Sequence, residues 1–240
     1  MTLNTWGNSG PYQDRWNFFL EELKMYTPDV LCLQEVFGPV LIEKIKESFS
    51  YPYILSAYEA GLVIMTRFPV GEDQVLKYKT ISSNEQENRQ AILAKLEIKG
   101  KQLAIANTHL SWRAEDEGVR HQQVKELLQV IVDKRDTVLL AGDFNDTPGS
   151  APIKEIEKAG YVNLLRLLYP HNENITWDNQ NPFIQTHSVK FQNRQIDFLF
   201  LHKKLLTPNL VKSCDIIFNR PNPNGIYPSD HYGVLVEIKF

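Results

Sequence analysis

Four short apolar runs of this chain each adjoin a small polar group with ionisable members, and that pattern leaves few architectures open. Residues 29–33 lead to Gln34-Glu35, residues 103–106 to Asn107-Thr108-His109, and residues 137–141 to Gly142-Asp143-Phe144-Asn145; Ser229-Asp230-His231 stands just before residues 233–236. Short apolar runs bounded by polar residues read as buried strands. An unpaired Glu, Asp or His is costly at the end of such a strand. If the strands lie side by side, their tips meet in one place rich in carboxylate, amide and imidazole. Such a place suits an oxygen-liganded metal and acid–base chemistry.

The rest of the chain alternates strand-like and helix-like segments. Helical spacing marks residues 12–25 (Trp16, Phe19, Leu20 and Leu23 inward), 39–49 (Leu41, Ile42, Ile45) and 115–132 (Val119, Val124, Leu127, Leu128, Ile131). Strands are expected at 53–58, 62–66, 74–78, 91–98, 102–107, 137–143, 184–191, 195–201, 214–218 and 233–240, with Lys99-Gly100-Lys101 as a hairpin turn. Ser150 is a candidate cap for a helix following Thr147-Pro148-Gly149. With no repeat and no linker between two cores, residues 1–240 read as a single domain, a size that one core can fill. Helices outside and hairpins within imply an α/β (α+β) four-layer sandwich, two mixed β-sheets packed face to face.

Composition excludes several classes. A net charge of −3 gives no global attraction to polyanions, so a nucleic-acid ligand needs a local basic groove. Two cysteines make no disulfide framework, and Cys32 reads as a small buried hydrophobe. Absence of a long apolar stretch excludes a transmembrane segment. A cytoplasmic monomer is expected, or a protein whose leader has been trimmed.

Glu35, Asp143 and Asp230 supply anionic oxygens, and Asn4 and Asn145 neutral ones. Mg²⁺ or Mn²⁺ prefers that set, whereas zinc would call for a CxxC pair or an HExxH helix. A catalytic imidazole needs a carboxylate to orient it. Asp197 lies in an otherwise apolar strand, so an Asp197–His231 pair is expected. His109 is the second candidate imidazole. His121, His171, His187 and His202 read as surface or structural residues.

Residues 1–6, Leu33-Gln34-Glu35-Val36, residues 61–69, Asn107-Thr108-His109-Leu110, Gly142-Asp143-Phe144-Asn145, residues 194–199 and Ser229-Asp230-His231 occur in order, and together they resemble the endonuclease/exonuclease/phosphatase superfamily. That group includes pancreatic-type deoxyribonucleases, AP endonucleases, neutral sphingomyelinases, inositol polyphosphate 5-phosphatases and deadenylases. The resemblance implies a Mg²⁺- or Mn²⁺-dependent phosphoric ester hydrolase. By it, Asn4, Glu35 and Asp230 hold the main metal, and Asp143 and Asn145 position water and phosphoryl oxygens, with Asp143 within reach of a second metal. His231, oriented by Asp197, is the general base or a phosphate-binding imidazole. His109 contacts phosphate or protonates the leaving oxygen, and Arg89 resembles a phosphate-contacting arginine.

The substrate class stays open. A phosphodiesterase or phosphatase comes first, a DNA or RNA endo- or exonuclease second and a sphingomyelinase-like phospholipid phosphodiesterase third. A non-catalytic binding module on the same fold is the reading from another class, and the retained acid–base groups argue against it. His109 favours the deoxyribonuclease, sphingomyelinase and phosphatase side, and Asn4-Thr5-Trp6-Gly7 looks like the opening of the neutral sphingomyelinases. No long apolar hairpin suits membrane entry. Lys77, Lys79, Arg89 and Arg113 are candidates for a local basic groove, with Arg220 in the loop before Asp230. Trp112, Trp177 and Tyr227 are candidate stacking residues, and Glu59 is a candidate partner for His109.

Overall fold

The computed structural model describes residues 1–133 and 138–239. Among the described residues twelve strands form two six-stranded sheets. The first contains β1 (Thr2–Asn4), β2 (Val30–Gln34), β3 (Tyr53–Ala57), β4 (Leu62–Thr66), β11 (Val211–Ile217) and β12 (Gly233–Ile238), ordered β11-β12-β1-β2-β4-β3. In the second, β5 (Val70–Lys77), β6 (Gln90–Ile98), β7 (Lys101–His109), β8 (Val138–Asp143), β9 (Tyr161–Asn163) and β10 (Asp197–His202) run in the order β5-β6-β7-β8-β10-β9. Both sheets are mixed, since β1 with β2 and β7 with β8 are parallel while the hairpin pairs are antiparallel.

Three apolar clusters fill the spaces of a four-layer stack. Between the sheets, Cys32, Leu62 and Ile64 face Ile92, Leu96, Ile105, Leu139 and Leu199. Outside the first sheet, α1 (Tyr12–Tyr26) and α2 (Val40–Ser48) bury Trp16, Phe19, Leu23, Leu41, Ile42 and Ile45 against Leu31, Leu33, Val63 and Met65. Outside the second, α3 (Glu117–Asp133) and α4 (Ala151–Lys158) bury Val124, Leu127, Ile131, Ile153 and Ile156 against Leu140, Phe198 and Phe200. Each such side chain contributes about 1.5 to 3 kcal/mol on leaving water. The helix stripes thus supply the two outer layers, as their spacing predicts.

Register brings the polar tips together. In the parallel β7–β8 pair His109 lies opposite Asp143, and in the antiparallel β8–β10 pair Asp143 lies opposite Asp197. In the first sheet Asn4 pairs with Gln34, placing Glu35 one residue beyond. Gly142 permits the close approach of β7 and β8 at this end: it has φ of +143°, and a Cβ there would overlap the Thr108 carbonyl oxygen. Gln34 and Asn107 then tie one sheet to the other. Gln34 Nε2 donates to Asn107 Oδ1 at 2.6 Å, and Asn107 Nδ2 donates to the Leu33 and Val63 carbonyls at 2.9 Å each. These two amides satisfy one another across the buried interface, so they clamp the sheets rather than enter the cleft.

Several expectations need correction. Residues 184–191 form no strand; a 3-10 turn spans Pro182–Thr186 instead. Asn181 caps that turn through the Phe183 N–H and donates to the Ser229 carbonyl at 2.8 Å, so side-chain bonds anchor the segment where a ladder was expected. Ser150 occupies the cap position of α4, yet its hydroxyl makes no cap bond. The strand expected from 195 begins at Asp197, because Gln195 bonds Asn163 instead. Strand β9 and helix α5 (Leu164–Leu168) were not foreseen; they are too short to show a period. The Lys99-Gly100 turn is as expected, with φ of 49° and 78° at the two loop positions, the primed geometry that suits hairpins. Thr137 and Phe240, expected strand ends, lie outside the described residues. Cys32 and Cys214 are buried free thiols, both pushed up to about 12 by burial. Among the described residues no helix is long and apolar enough to cross a membrane.

Candidate active site

Asn4, Glu35, Arg89, His109, Asp143, Asn145, Asp230 and His231 line one cavity of about 290 Å³, and Asp197 is buried directly behind His231. Their backbone is partly strained into place. Trp6, Glu35 and Asn145 have φ of 55°, 59° and 51°, a left-handed region that costs most residues about 1 to 3 kcal/mol. At Glu35 and Asn145 this bend turns the chain out of its strand and points the side chain into the cleft.

His231 sits between two carboxylates. Its Nδ1 is 3.0 Å from Asp197 Oδ2 and its Nε2 is 3.8 Å from Asp143 Oδ2. Burial by itself lowers the imidazole pKa, but Asp197, Asp143 and Asp230 outweigh it and lift the group to about 10. Burial raises Asp197 to about 6 even though His231 pulls it down. The expected pair is present. Thr176 Oγ1 accepts from the Asp197 and Ile196 N–H groups, and the Trp177 ring packs edge-on against His231 at 4.9 Å.

Asp143 is the hub. Oδ1 accepts the Asn145 N–H at 2.9 Å, and Oδ2 accepts Asn4 Nδ2 at 3.0 Å with His109 Nε2 3.5 Å away. Asn4 Nδ2 also reaches Glu35 Oε1 at 3.0 Å, so this amide bridges two carboxylates while its oxygen holds the Trp6 N–H. Glu35 is raised above the usual carboxylate range, first by burial and then by Asp230. His109 falls well below the ordinary imidazole value because it is buried and faces Arg89 and His231.

Some residues take places the sequence did not indicate. His187 lines the cavity and its Nε2 lies 2.8 Å from Asp230 Oδ2; its ring contacts Trp6 and Trp177, so the reading of it as a surface or structural histidine is corrected. Trp6, Phe37, Phe191 and Arg194 join the walls beside Trp112 and Trp177, which were expected near the site. Tyr227 stacks on Tyr232 outside them. Glu59 is no partner of His109, since Lys77 and Gln90 hold it at the surface. That contact also removes Lys77 from any basic groove. Arg89 faces the cavity but is ion-paired with Glu85 at 2.9 Å, and Arg220 lines a different cavity beside α1. A tryptophan beside an asparagine at a strand end was the one signal available for Trp6. For His187, whose partner lies 43 residues away, there was none.

The donors fit a hard divalent cation. Glu35, Asp143 and Asp230 bring carboxylates into one cleft with the amides of Asn4 and Asn145, and no thiol is among them. The tightest cluster is a different one: ligand atoms of Asp143, Asp197 and His231 all lie within 4.8 Å of one another. There, however, Asp197 Oδ2 is already bonded to His231 Nδ1 at 3.0 Å. Burial first and Asp230 second raise Glu35, and a cation on the Glu35–Asp230 side would offset both.

Comparison with known proteins follows the same line. A phospholipase C of Staphylococcus aureus is 24% identical over 190 residues, which is 74% of this chain and 56% of that protein. The fold matches D. rerio TDP2 solved with a single-strand DNA product, with a TM-score of 0.79, 23% identity, and coverage of 98% and 96% of the two chains. It also matches a Staphylococcus aureus beta toxin mutant with bound magnesium ions, with a TM-score of 0.77, 19% identity, and coverage of 99% and 98%. The model of the Endonuclease/Exonuclease/phosphatase family matches residues 1–231, nearly the whole length, and the chain belongs to that family.

Proposed function

We propose that this chain, acting as one functional unit over residues 1–240, hydrolyses a phosphoester bond with Mg²⁺ or Mn²⁺ by in-line attack of water. The observation that carries the reading is the placement of His231 between Asp197 and Asp143 in the cavity that also holds Glu35, Asp230 and His109. Glu35 and Asp230 would hold the cation, with Asn4 bridging Glu35 to Asp143 beside it. A bound cation supplies Lewis-acid stabilisation of the phosphoryl oxygens and offsets the carboxylate charge that keeps His231 protonated. Asp143 and Asn145 orient the attacking water. His231 Nε2 takes a proton from it as the water oxygen bonds to phosphorus, and Asp197 stabilises the imidazolium. The ester P–O bond breaks, and the leaving oxygen collects its proton from solvent. His109, held neutral, serves a phosphoryl or leaving oxygen as a hydrogen-bond donor; its low proton affinity suits that role better than proton delivery to a phosphate. Indole faces of Trp6, Trp112 and Trp177 in the walls favour a nuclease as the second reading, since bases stack on such rings.

The test is a panel of bis-nitrophenyl phosphate, plasmid DNA, abasic duplex, sphingomyelin and inositol phosphates, with and without chelator. Turnover of at least one substrate is expected to fall about 100-fold or more in chelator and to return with Mg²⁺ or Mn²⁺. Full turnover in the chelated protein refutes the reading. Cation binding is also expected to raise the melting temperature by roughly 5 to 10 °C at about 100-fold excess over Kd. The sign with pH follows from Glu35. Its folded pKa lies above the unfolded value, so its stabilising contribution is full below the unfolded pKa and is lost as pH rises through the folded one. The metal-free protein therefore carries this penalty at neutral pH, where the cation-induced shift should exceed that measured near pH 5.

A further inference from the structure

Two arginines line the cavity, and they differ in one respect that matters for an anion. Arg89, for which the family resemblance implies a phosphate contact, has its Nε on Glu85 Oε2 at 2.9 Å, with both side chains buried. Glu85 Oε1 in turn accepts the backbone N–H groups of Trp112 and Arg113, so that carboxylate is fully engaged and the pair is internally neutral. Arg194 is in no ion pair among the described residues, and its buried Nε has no hydrogen-bond partner. Its guanidinium packs on the Phe191 ring, with Cζ 3.6 Å from the centroid. Arg194 also lines the adjoining groove, where the other guanidinium, that of Arg120, is bound to Asp146 at 2.8 Å and to the Ser111 and Arg113 carbonyls.

The backbone fixes where this cation sits. Arg194 and Trp177 form a two-way bridge, N–H to carbonyl at 2.9 and 3.0 Å, immediately before Asp197 in the chain. The Trp177 ring packs on His231, and so one rigid unit sets the guanidinium relative to the base. A buried donor left without an acceptor is costly unless something supplies the acceptor. Preorganised donors aimed at developing negative charge are the usual destination of such a cost in an active site. Burial draws the Arg194 pKa down to about 10 against the pull of Asp143, Asp146 and Asp197, so it stays a cation at neutral pH.

Resting on the phosphoester reading above, we propose that Arg194 is the guanidinium that binds the phosphoryl oxygens, and that a single unpaired guanidinium suits this cleft to a singly charged phosphodiester. A dianionic monoester would bring a second negative charge into walls that already hold Glu35, Glu87, Asp143 and Asp230. Trp6, Phe37, Trp112 and Trp177 give apolar surface for the substituents of a diester.

The experiment compares wild type, Arg194→Gln and Arg194→Lys on bis-nitrophenyl phosphate and on nitrophenyl phosphate with Mg²⁺ or Mn²⁺, with melting curves for all three. Wild type is expected to favour the diester by about 100-fold in kcat/KM. Arg194→Gln should lose about 10² to 10³ in kcat/KM with most of the loss in kcat, and added guanidinium ion should restore at least about 10-fold. Arg194→Lys should recover part of the activity, since it keeps the charge but not the planar fork. A folded Arg194→Gln within about threefold of wild type, a loss that guanidinium does not restore, or a preference for the monoester overturns the proposal. Should Arg194→Gln fail to fold, Arg194→Lys decides, and wild-type rates there overturn it. A wild type that cleaves no phosphoester brings down the proposed function itself, whereas an active wild type with an indifferent Arg194 brings down only this inference.

Discussion

Asp143→Asn and His231→Ala are each expected to lower kcat/KM by about 10³-fold or more, with circular dichroism showing both variants folded at the assay temperature. Asp143 has the most crowded carboxylate in the cleft. It takes the Asn145 N–H on one oxygen and the Asn4 amide on the other, with His109 and His231 within 4 Å of the second. An asparagine in its place must turn an NH₂ toward at least one of those donors, and it removes the charge that draws the imidazoles together. His231→Ala removes the group proposed to take the proton and leaves Asp197 a buried carboxylate without its partner. In the proposed mechanism Asp197 acts through His231, so an Asp197→Asn, His231→Ala double variant should be no slower than His231→Ala alone. Additive losses, or turnover that survives in both single variants, would show that the reaction does not run through this pair.

Arg15→Met should cost roughly 3 to 5 kcal/mol of stability, or about 10 °C in melting temperature, without removing any atom that faces substrate. Arg15 is fully buried in α1. Its Nη1 donates to the Thr5 and Pro228 carbonyls at 2.9 Å each, Nη2 reaches Gly7 and Ser9, and the guanidinium lies 4.8 Å over the Trp6 ring. One cation therefore binds the loop after Asn4 to the loop before Asp230. Methionine keeps an unbranched apolar stem but leaves several buried carbonyls without a donor, each costing about 1 to 3 kcal/mol before relaxation. The same variant should bind Mg²⁺ more weakly, because Asn4 and Asp230 lose their common anchor. Calorimetric Mg²⁺ titration and a melting curve read the two effects separately, and an unchanged melting temperature would refute this account of Arg15.

What a reader of the chain can and cannot see follows from where each partner lies. Strand tips at Glu35, Asp143 and His231 were legible because alternation and turn residues are local, and an ionisable group ending an apolar run is itself a signal. The Asp197–His231 pair was legible by elimination, since a carboxylate inside an apolar strand needs a cationic partner. Arg15 and Arg194 were not. Their roles depend on carbonyls and rings that the fold brings together, and nothing adjacent in sequence distinguishes them from solvated arginines. Arg89 shows the reverse case: the family resemblance suggested phosphate, while the buried Glu85 that neutralises it is visible only in three dimensions. Gln34 and Asn107 belong to the polar tips by composition, yet they join the sheets. The segment 184–191 was expected as a strand, and Asn181-Pro182 diverted it into a docked turn.

The left-handed backbone at Glu35 has an evolutionary corollary. Glycine adopts φ of 59° freely and carries no carboxylate to repel Asp230, so Glu35→Gly should melt at a higher temperature than the metal-free wild type while turning over nothing. Selection for heat resistance alone would drift toward such a variant, and the proposed catalytic role is what would hold glutamate there.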